Sequence, residues 1–276
     1  MSVDNFKPEI WSQEILFSLK QNLLASNLVN RNYEGEIQNQ GDTVRITTPN
    51  AIATSAYDGD DFTFDEVTST QQTMAIDEAR KFHFQVRDID EVQANVALMQ
   101  AFSQEASFSL ANDMDRFIFE AYAEADEDNV IDTGGFDENN AWDQLTLAAQ
   151  LLSEKNVPEQ GRWAVVDPAG YRSLARDTAF QRASDLGDQV SREGFMGRAA
   201  GFNVWMSNNL VVVDGDPDVK HYLYGHNIAI TLAEQLLSIK AGEREKNFAD
   251  YLKGLHVYGK KVVRPTALGT IEVEQS

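Results

Sequence analysis

Four histidines, a run of three aspartates in one turn and a few spaced carboxylates are the residues of this 276-residue chain whose types could do chemistry. His83, His221, His226 and His256 are scattered, and the only close pair, His221 and His226, is five positions apart. That spacing does not place two imidazoles on one helical face, as a zinc site of the H-E-x-x-H type needs. The reading is surface or structural histidines, with metal ligation as the alternative. "DGDPD" puts Asp214, Asp216 and Asp218 at the first three ligand positions of a calcium loop. The sixth and twelfth positions, which need Gly and Glu, are Val219 and Gly225. A solvated hairpin turn fits better. Asp113 with Glu120 could be imagined as a general acid and base, but both fall on the polar face of a helical pattern, where acids are simply hydrated. "GFMGRAAGF" (194–202) is glycine-rich yet lacks the lysine and helix start of a phosphate cradle. No G-x-S-x-G elbow, phosphate loop or dinucleotide fingerprint occurs. There is no cysteine, hence no thiolate site. The expectation is a chain without catalytic centre, cofactor or metal, and not an enzyme.

The elements that carry these residues belong to a folded chain. It is 42% hydrophobic and 10% aromatic, enough for a sizeable core. A net charge of -21 argues against a protein whose task is to grip nucleic acid, which requires neutralising phosphates. The start "MSVDNFKPEIW" lacks the pattern of a signal peptide, and no stretch approaches the ~18 apolar residues of a membrane span. A soluble protein made in the cytoplasm, with no membrane partner, is expected.

The charge is unevenly spread. Residues 46–79 contain no Lys, Arg or His but seven acids: Asp58, Asp60, Asp61, Asp65, Glu66, Asp77 and Glu78. Residues 240–264 reverse the sign, with seven Lys and Arg (Lys240, Arg244, Lys246, Lys253, Lys260, Lys261 and Arg264) against three acids. The two segments are complementary. Within the acidic one, "SAYDGDDFTF" is a turn signal that sets the aromatics Tyr57, Phe62 and Phe64 at a tip where water should be.

Along the chain, residues 6–28 place Ile10, Trp11, Ile15, Leu19 and Leu23 at helical spacing after Pro8, an amphipathic arm whose apolar side needs a cover. "GDTVRITTP" and "KFHFQV" alternate apolar with polar residues, so residues 41–87 read as a long two-stranded hairpin. Such a hairpin is marginal alone and must lean on something. Residues 88–133 contain neither Gly nor Pro. Asp90 and Gln93 resemble a capping box, and Val92, Val96, Met99, Phe102, Ala106, Leu110, Met114, Phe117 and Ala121 trace one face. One helix from about 91 to 125 would be roughly 50 Å long. Beyond the acidic loop 123–135, "AEADEDNVIDTGG", follow a capped amphipathic helix closed by Pro158 and the buried strand of "RWAVVDPAGYRSLAR" with Asp167 as helix cap. The strand of "GFNVWMSNNL" and a hairpin around "DGDPD" come next, and residues 228–241 read as a helix or as strand and helix. The end returns to strand chemistry with Leu255, Val257, Val262, Val263, Ile271 and Val273.

The ordered set "GDTVRI", "KFHFQVRDIDEVQANV", "RWAVVDPAGYRSLARD", "GFNVWMSNNL" and "NFADYLKGLHVYGKKVVRPTAL" resembles the major capsid protein of tailed bacteriophages, over essentially the whole chain. The resemblance implies an α+β fold with an N-terminal arm (1–40), an extended β-hairpin loop (41–87) and a spine helix of a peripheral domain (88–133). An axial domain (134–239) and C-terminal strands of the peripheral domain (240–276) would complete it. It implies a structural protein that assembles as pentamers and hexamers into an icosahedral shell around double-stranded DNA, without sequence-specific binding. A scaffolding protein and a portal, with a possible decoration protein, would be its partners, and the virion capsid its location. No lysine lies on the loop tip to serve a covalent crosslink.

The charge pattern adds a contact. The acidic hairpin of one subunit is expected to lie over the basic C-terminal region of another, with Asp58, Asp60 and Asp61 near Lys253, Lys260, Lys261 and Arg264. Tyr57, Phe62, Phe64 and Trp11 are expected as further contact residues, and intramolecular pairing or plain solvation is the alternative. An encapsulin-like compartment of the same fold, and a carboxylate-dependent hydrolase, are the alternative functions.

Overall fold

The computed structural model describes residues 24–32, 43–49, 69–87, 96–132, 134–178, 197–243 and 249–275. Twelve strands and three α-helices lie among them. The strands are β1 (Thr43–Pro49), β2 (Ser69–Ala75), β3 (Glu78–Arg87), β4 (Val130–Asp132), β5 (Arg162–Val166), β6 (Arg198–Ala199), β7 (Phe202–Met206), β8 (Val212–Val213), β9 (Val219–His226), β10 (Ile230–Glu243), β11 (Ala249–Val262) and β12 (Leu268–Glu274). The helices are α1 (Val96–Phe119), α2 (Ala141–Glu154) and α3 (Pro168–Arg176).

The expected long helix is there as α1, but its α-geometry stops at Phe119. The chain then tightens into a 3-10 turn, Glu120–Glu124, and becomes extended at Ala125. Tightening of the last turn is a common way to use up terminal carbonyls. At about 1.5 Å per residue the described α-helix is roughly 36 Å long. Leu110, Met114 and Ala121 are buried as the stripe predicts, whereas Phe102 is 48% exposed and meets Phe84 of β3 at a centroid distance of 6.1 Å.

A seven-stranded mixed sheet runs in the order β4-β12-β9-β5-β7-β6, with β8 pairing on β9. α2 and α3 pack beside it: Leu145 and Leu152 of α2, Leu174 of α3, Val165 of β5, Tyr224 of β9 and Ile271 of β12 share one core with Leu110, Met114 and Ile118 of α1. Local signals account for the helices. Asp167 caps α3 by accepting from the Gly170 N–H at 2.7 Å, with Pro168 at the first turn. Arg162 reaches back to close α2, donating to the Ala149 carbonyl at 3.1 Å and the Ser153 hydroxyl.

A second sheet has the order β10-β11-β3 and is antiparallel throughout. Residues 228–241, read as helical at least in part, are instead mostly the strand β10, with an irregularity between Leu236 and Ser238. Pairing along the whole of β11 overrides the helical spacing of its leucines. The placement of residues 240–276 also differs from a single group of strands. β11 stays with β3, but the turn Pro265–Ala267 redirects the chain so that β12 enters the seven-stranded sheet between β4 and β9. Position 239, taken as a boundary, lies inside β10.

The excursion 41–87 is not one pair of strands. β1 pairs with β2, Val44 facing Met74 and Ile46 facing Gln72, while β3 pairs with β11. The base of the hairpin leans on its own chain, because Val44, Ile46, Met74 and Ile76 are buried with Ala233 of β10 and Val257 of β11. Gly259 of β11 lets the hairpin approach, since a Cβ there would strike the Ala75 carbonyl. No described helix is long and apolar enough to cross a membrane.

Candidate functional site

Alternation along β11 assigns its residues to two faces. Tyr258 and Val262 turn toward α1, where Phe117 meets the Tyr258 ring edge-on at 5.1 Å. Val257, Leu255 and Lys253 turn the other way. Val257 is covered by the β1–β2 hairpin, but Lys253 lies past the hairpin's edge and is exposed. In register with it stand Lys240 of β10 and His83 of β3, with Lys81 two positions along β3; all are exposed. These four bases rim a groove of about 520 Å³ whose apolar lining is Leu255, Phe82 and Gly254. Lys253 also sits 5.3 Å from the Tyr251 ring centroid. Among the described residues no carboxylate lies within ion-pair distance of any of the four.

The other basic residues of 240–264 behave differently. Lys260 is nearly buried, donates to the Phe117 carbonyl, lies 4.3 Å from the Phe117 ring centroid and is 3.6 Å from Glu120. Burial pulls its pKa below the ordinary lysine value, against Glu120 and Glu124, which favour the charge. Lys261 meets Glu124 at 3.2 Å. Both lysines therefore serve the end of their own spine helix. Arg264 is exposed at the turn after β11. Of the other contact candidates, Trp11, Tyr57, Asp58, Asp60, Asp61, Phe62 and Phe64 lie outside the described residues. The sequence reading did not single out Lys81, His83 or Lys240 as contacts, because only strand pairing brings them beside Lys253.

The polar constellations elsewhere are structural. Asp167 receives the Tyr222 hydroxyl and the Lys220 ammonium, the latter at 2.8 Å. Burial opposes its charge, but the Gly170 N–H, Lys220 and Tyr222 together hold its carboxyl below the usual range. His221 stacks on Tyr122 at 4.0 Å, and burial lowers its pKa against the pull of Glu272. His256 is buried 3.3 Å from Glu234, which also pairs with Arg31. His226 contacts the Gln160 carbonyl at 2.6 Å. Asp113 and Glu120 are exposed, and Glu120 is engaged by Lys260. The turn 214–218 is the β8–β9 hairpin with a cis Asp216–Pro217 bond. Among the described residues, no three of His, Asp and Glu converge to hold a metal ion.

The entry of the N-terminal segment is also fixed. Asp115 of α1 accepts from the Ala25 N–H at 2.9 Å, and Asn30 bridges to Thr231 of β10. The segment is thus pinned to both the helix and the second sheet.

The family model described as P22 coat protein, gene protein 5, matches residues 5–215. No curated protein matches the chain. A solved structure of Mycobacterium phage Che8 is 29% identical, covering 90% of each chain with a TM-score of 0.71. The capsid structure of the cyanophage P-SCSP1u is 16% identical, covering 92% of this chain and 89% of that one with a TM-score of 0.72. A virus-like particle from Pyrococcus furiosus has the same fold at 11% identity, covering 95% and 96% with a TM-score of 0.57.

Proposed function

Because this chain belongs to the P22 coat protein family, we propose that it is the major capsid protein of a tailed phage, a structural subunit whose copies build the virion shell. The family match over residues 5–215 carries this reading. The fold supports it: one hydrophobic core joins α1 to both sheets, while a basic sheet face is left without a described cover. The likeness to a virus-like particle is one of fold alone and gives an encapsulin-like compartment no advantage.

At finer grain, the subunits form pentamers and hexamers of an icosahedral shell around double-stranded DNA, with a scaffolding protein and a portal as assembly partners. The acidic balance suits a container that must not grip its contents, since phosphate is repelled by a chain of net charge -21. The role is structural, not enzymatic. Residues 41–87 serve as the extended loop and 134–239 as the body of the axial domain, which β4 and β12 complete.

Negative-stain microscopy of the expressed protein, alone and with an adjacent scaffold gene product, tests this. Capsomers or closed shells are expected; a small particle of fixed size under every condition would overturn it. Shells purified from the native host should contain DNA and not an enzyme cargo.

A further inference from the structure

We propose that residues 24–32 are a detachable strap over α1, and that the buried carboxyl of Asp115, which holds the strap's first amides, makes its closure proton-dependent: closed in acid, opening toward neutral pH. The device belongs to the single subunit and stands whether or not the coat reading holds.

The strap is tied at both ends and packed between them. At its start, the 3-10 turn Ala25–Asn27 receives no cap from the side chain of Leu24, which precedes it. Asp115 of α1, 90 positions away, supplies the acceptor instead, taking the Ala25 N–H at 2.9 Å and the Leu24 N–H as well. At its end, Asn30 makes one parallel bridge to β10. It donates to the Ile230 carbonyl and accepts from the Leu232 N–H, both at 2.9 Å, and Arg31 beside it pairs with Glu234. Between the ties, Ala25, Leu28 and Val29 share the core with Leu110, Ala111 and Met114 of α1. The fit is imperfect at Ser26, whose hydroxyl is buried with no hydrogen-bond partner among the described residues. Water would satisfy that hydroxyl once the strap lifts. A segment held by so few bonds can open without unfolding the rest of the subunit.

Asp115 is the group that titrates. It is 3% exposed, and among the described residues no cation lies within ion-pair distance of it. Its neighbours on α1, Asp113 and Arg116, are exposed. The 207–211 loop carries no charge and contributes the amide of Asn209. The strap's one charged side chain, Arg31, is engaged with Glu234, which also faces His256 at 3.3 Å. With the strap closed, burial lifts the carboxyl from 3.8 to about 6, against the N–H groups of Ala25 and Leu24 and the Asn209 amide. With the strap open, the carboxyl meets water and returns to its ordinary value. Closure therefore takes up a proton. It is favoured most below pH 4 and loses that advantage as pH rises through about 6, so the ratio of closed to open strap falls about fiftyfold between pH 4 and pH 7. Opening uncovers the flank of α1 around Leu110, Ala111 and Met114.

The natural chain has no cysteine, so one introduced thiol reports on the strap. Ser26→Cys places it at a buried position where the hydroxyl makes no bond. Its rate of labelling by a pyridyl disulfide in the full-length, unassembled subunit is divided, at each pH, into that of a peptide of residues 20–32 carrying the same cysteine. This protection should fall about fiftyfold from pH 4 to pH 7. Adding Asp115→Asn should reduce the change to less than about threefold. At every pH the strap thiol should label at least about tenfold faster than a thiol at Ala148→Cys in α2, because the strap opens locally. A flat profile for Ser26→Cys overturns the proposal. So does an undiminished fall with Asp115→Asn, which would assign the response to Glu234 and His256, and so do equal rates at positions 26 and 148, which would mean that the strap opens only when the whole subunit unfolds. Amide exchange over residues 24–32 of the unaltered chain, referred to intrinsic rates, repeats the test without a substitution, and constant protection there overturns the proposal equally.

Discussion

The ammonium of Lys260, carried on β11, donates to the carbonyl of Phe117 in the last turn of α1. A cation at the C-terminal end of a helix satisfies one of its orphan carbonyls and complements the negative end of the helix dipole. The spine helix is therefore terminated by a side chain from a strand 143 positions further along the chain.

That relationship separates two adjacent lysines. Lys260→Met should lower the stability of the unassembled subunit by about 1–3 kcal/mol, because it leaves a half-buried carbonyl unpaired. Lys261→Met, which removes only an exposed pair with Glu124, should cost less than about 1 kcal/mol. Urea unfolding of both variants checks this, and equal losses would refute it.

Asp115 gives a pH signature. Burial is the main cause that raises its pKa from 3.8 to about 6, against the Ala25 and Leu24 N–H groups and Asn209. With the folded value above the unfolded one, its contribution to stability is greatest below pH 4 and is lost as pH rises through about 6. At neutral pH the buried charge costs about 3 kcal/mol relative to the protonated form. Asp115→Asn keeps an acceptor for Ala25 and removes that dependence. The difference between variant and parent in urea midpoint should grow in the variant's favour from pH 4 to pH 7; a flat difference would contradict the assignment.

Gly170 reverses a general rule. Replacing a glycine in a helix by alanine ordinarily stabilises by up to about 1 kcal/mol. Here a Cβ would stand 2.7 Å from the Tyr222 hydroxyl, itself held by Asp167. Gly170→Ala should destabilise by about 1–3 kcal/mol. A thermal melt showing any gain would be evidence against the packing described.

The hairpin base provides the fourth test. Met74 and Ile46 are buried within a small cluster separate from the main core. Met74→Ala should cost about 2–5 kcal/mol locally and accelerate amide exchange in β1 and β2 of the unassembled subunit, with the seven-stranded sheet unaffected. Uniform acceleration across both sheets would show the cluster is not independent.

Residues with a local signal were legible in the sequence. Asp167 followed by Pro168 announces α3, "DGDPD" announces its hairpin, and the absence of Gly and Pro announces α1. β2 was not legible, since "STQQTMA" has one large apolar residue and acquires its strand character from pairing with β1 and burial on Val257. β10 misled because its leucines recur at helical spacing. The cationic row was invisible for a different reason. His83 and Lys253 are 170 positions apart, and only the β3–β11 register makes them neighbours. Lys260 and Lys261 carried the same sequence signal as Lys253, yet the fold turns Lys260 inward to the helix end and pairs Lys261 with Glu124 at the surface.

The position of β12 has a consequence for how the subunit is made. It lies between β4 and β9, and so fills an interior place in the sheet although it leaves the ribosome after every other strand there. Until Leu268–Glu274 emerges, β9 and β4 present open edges to the crowded cell, and the core around Tyr224 lacks one wall. A chain halted before that point cannot finish its sheet. The seven-stranded sheet is therefore closed by a strand made after all its neighbours, and its two flanks are joined only once Leu268–Glu274 is in place.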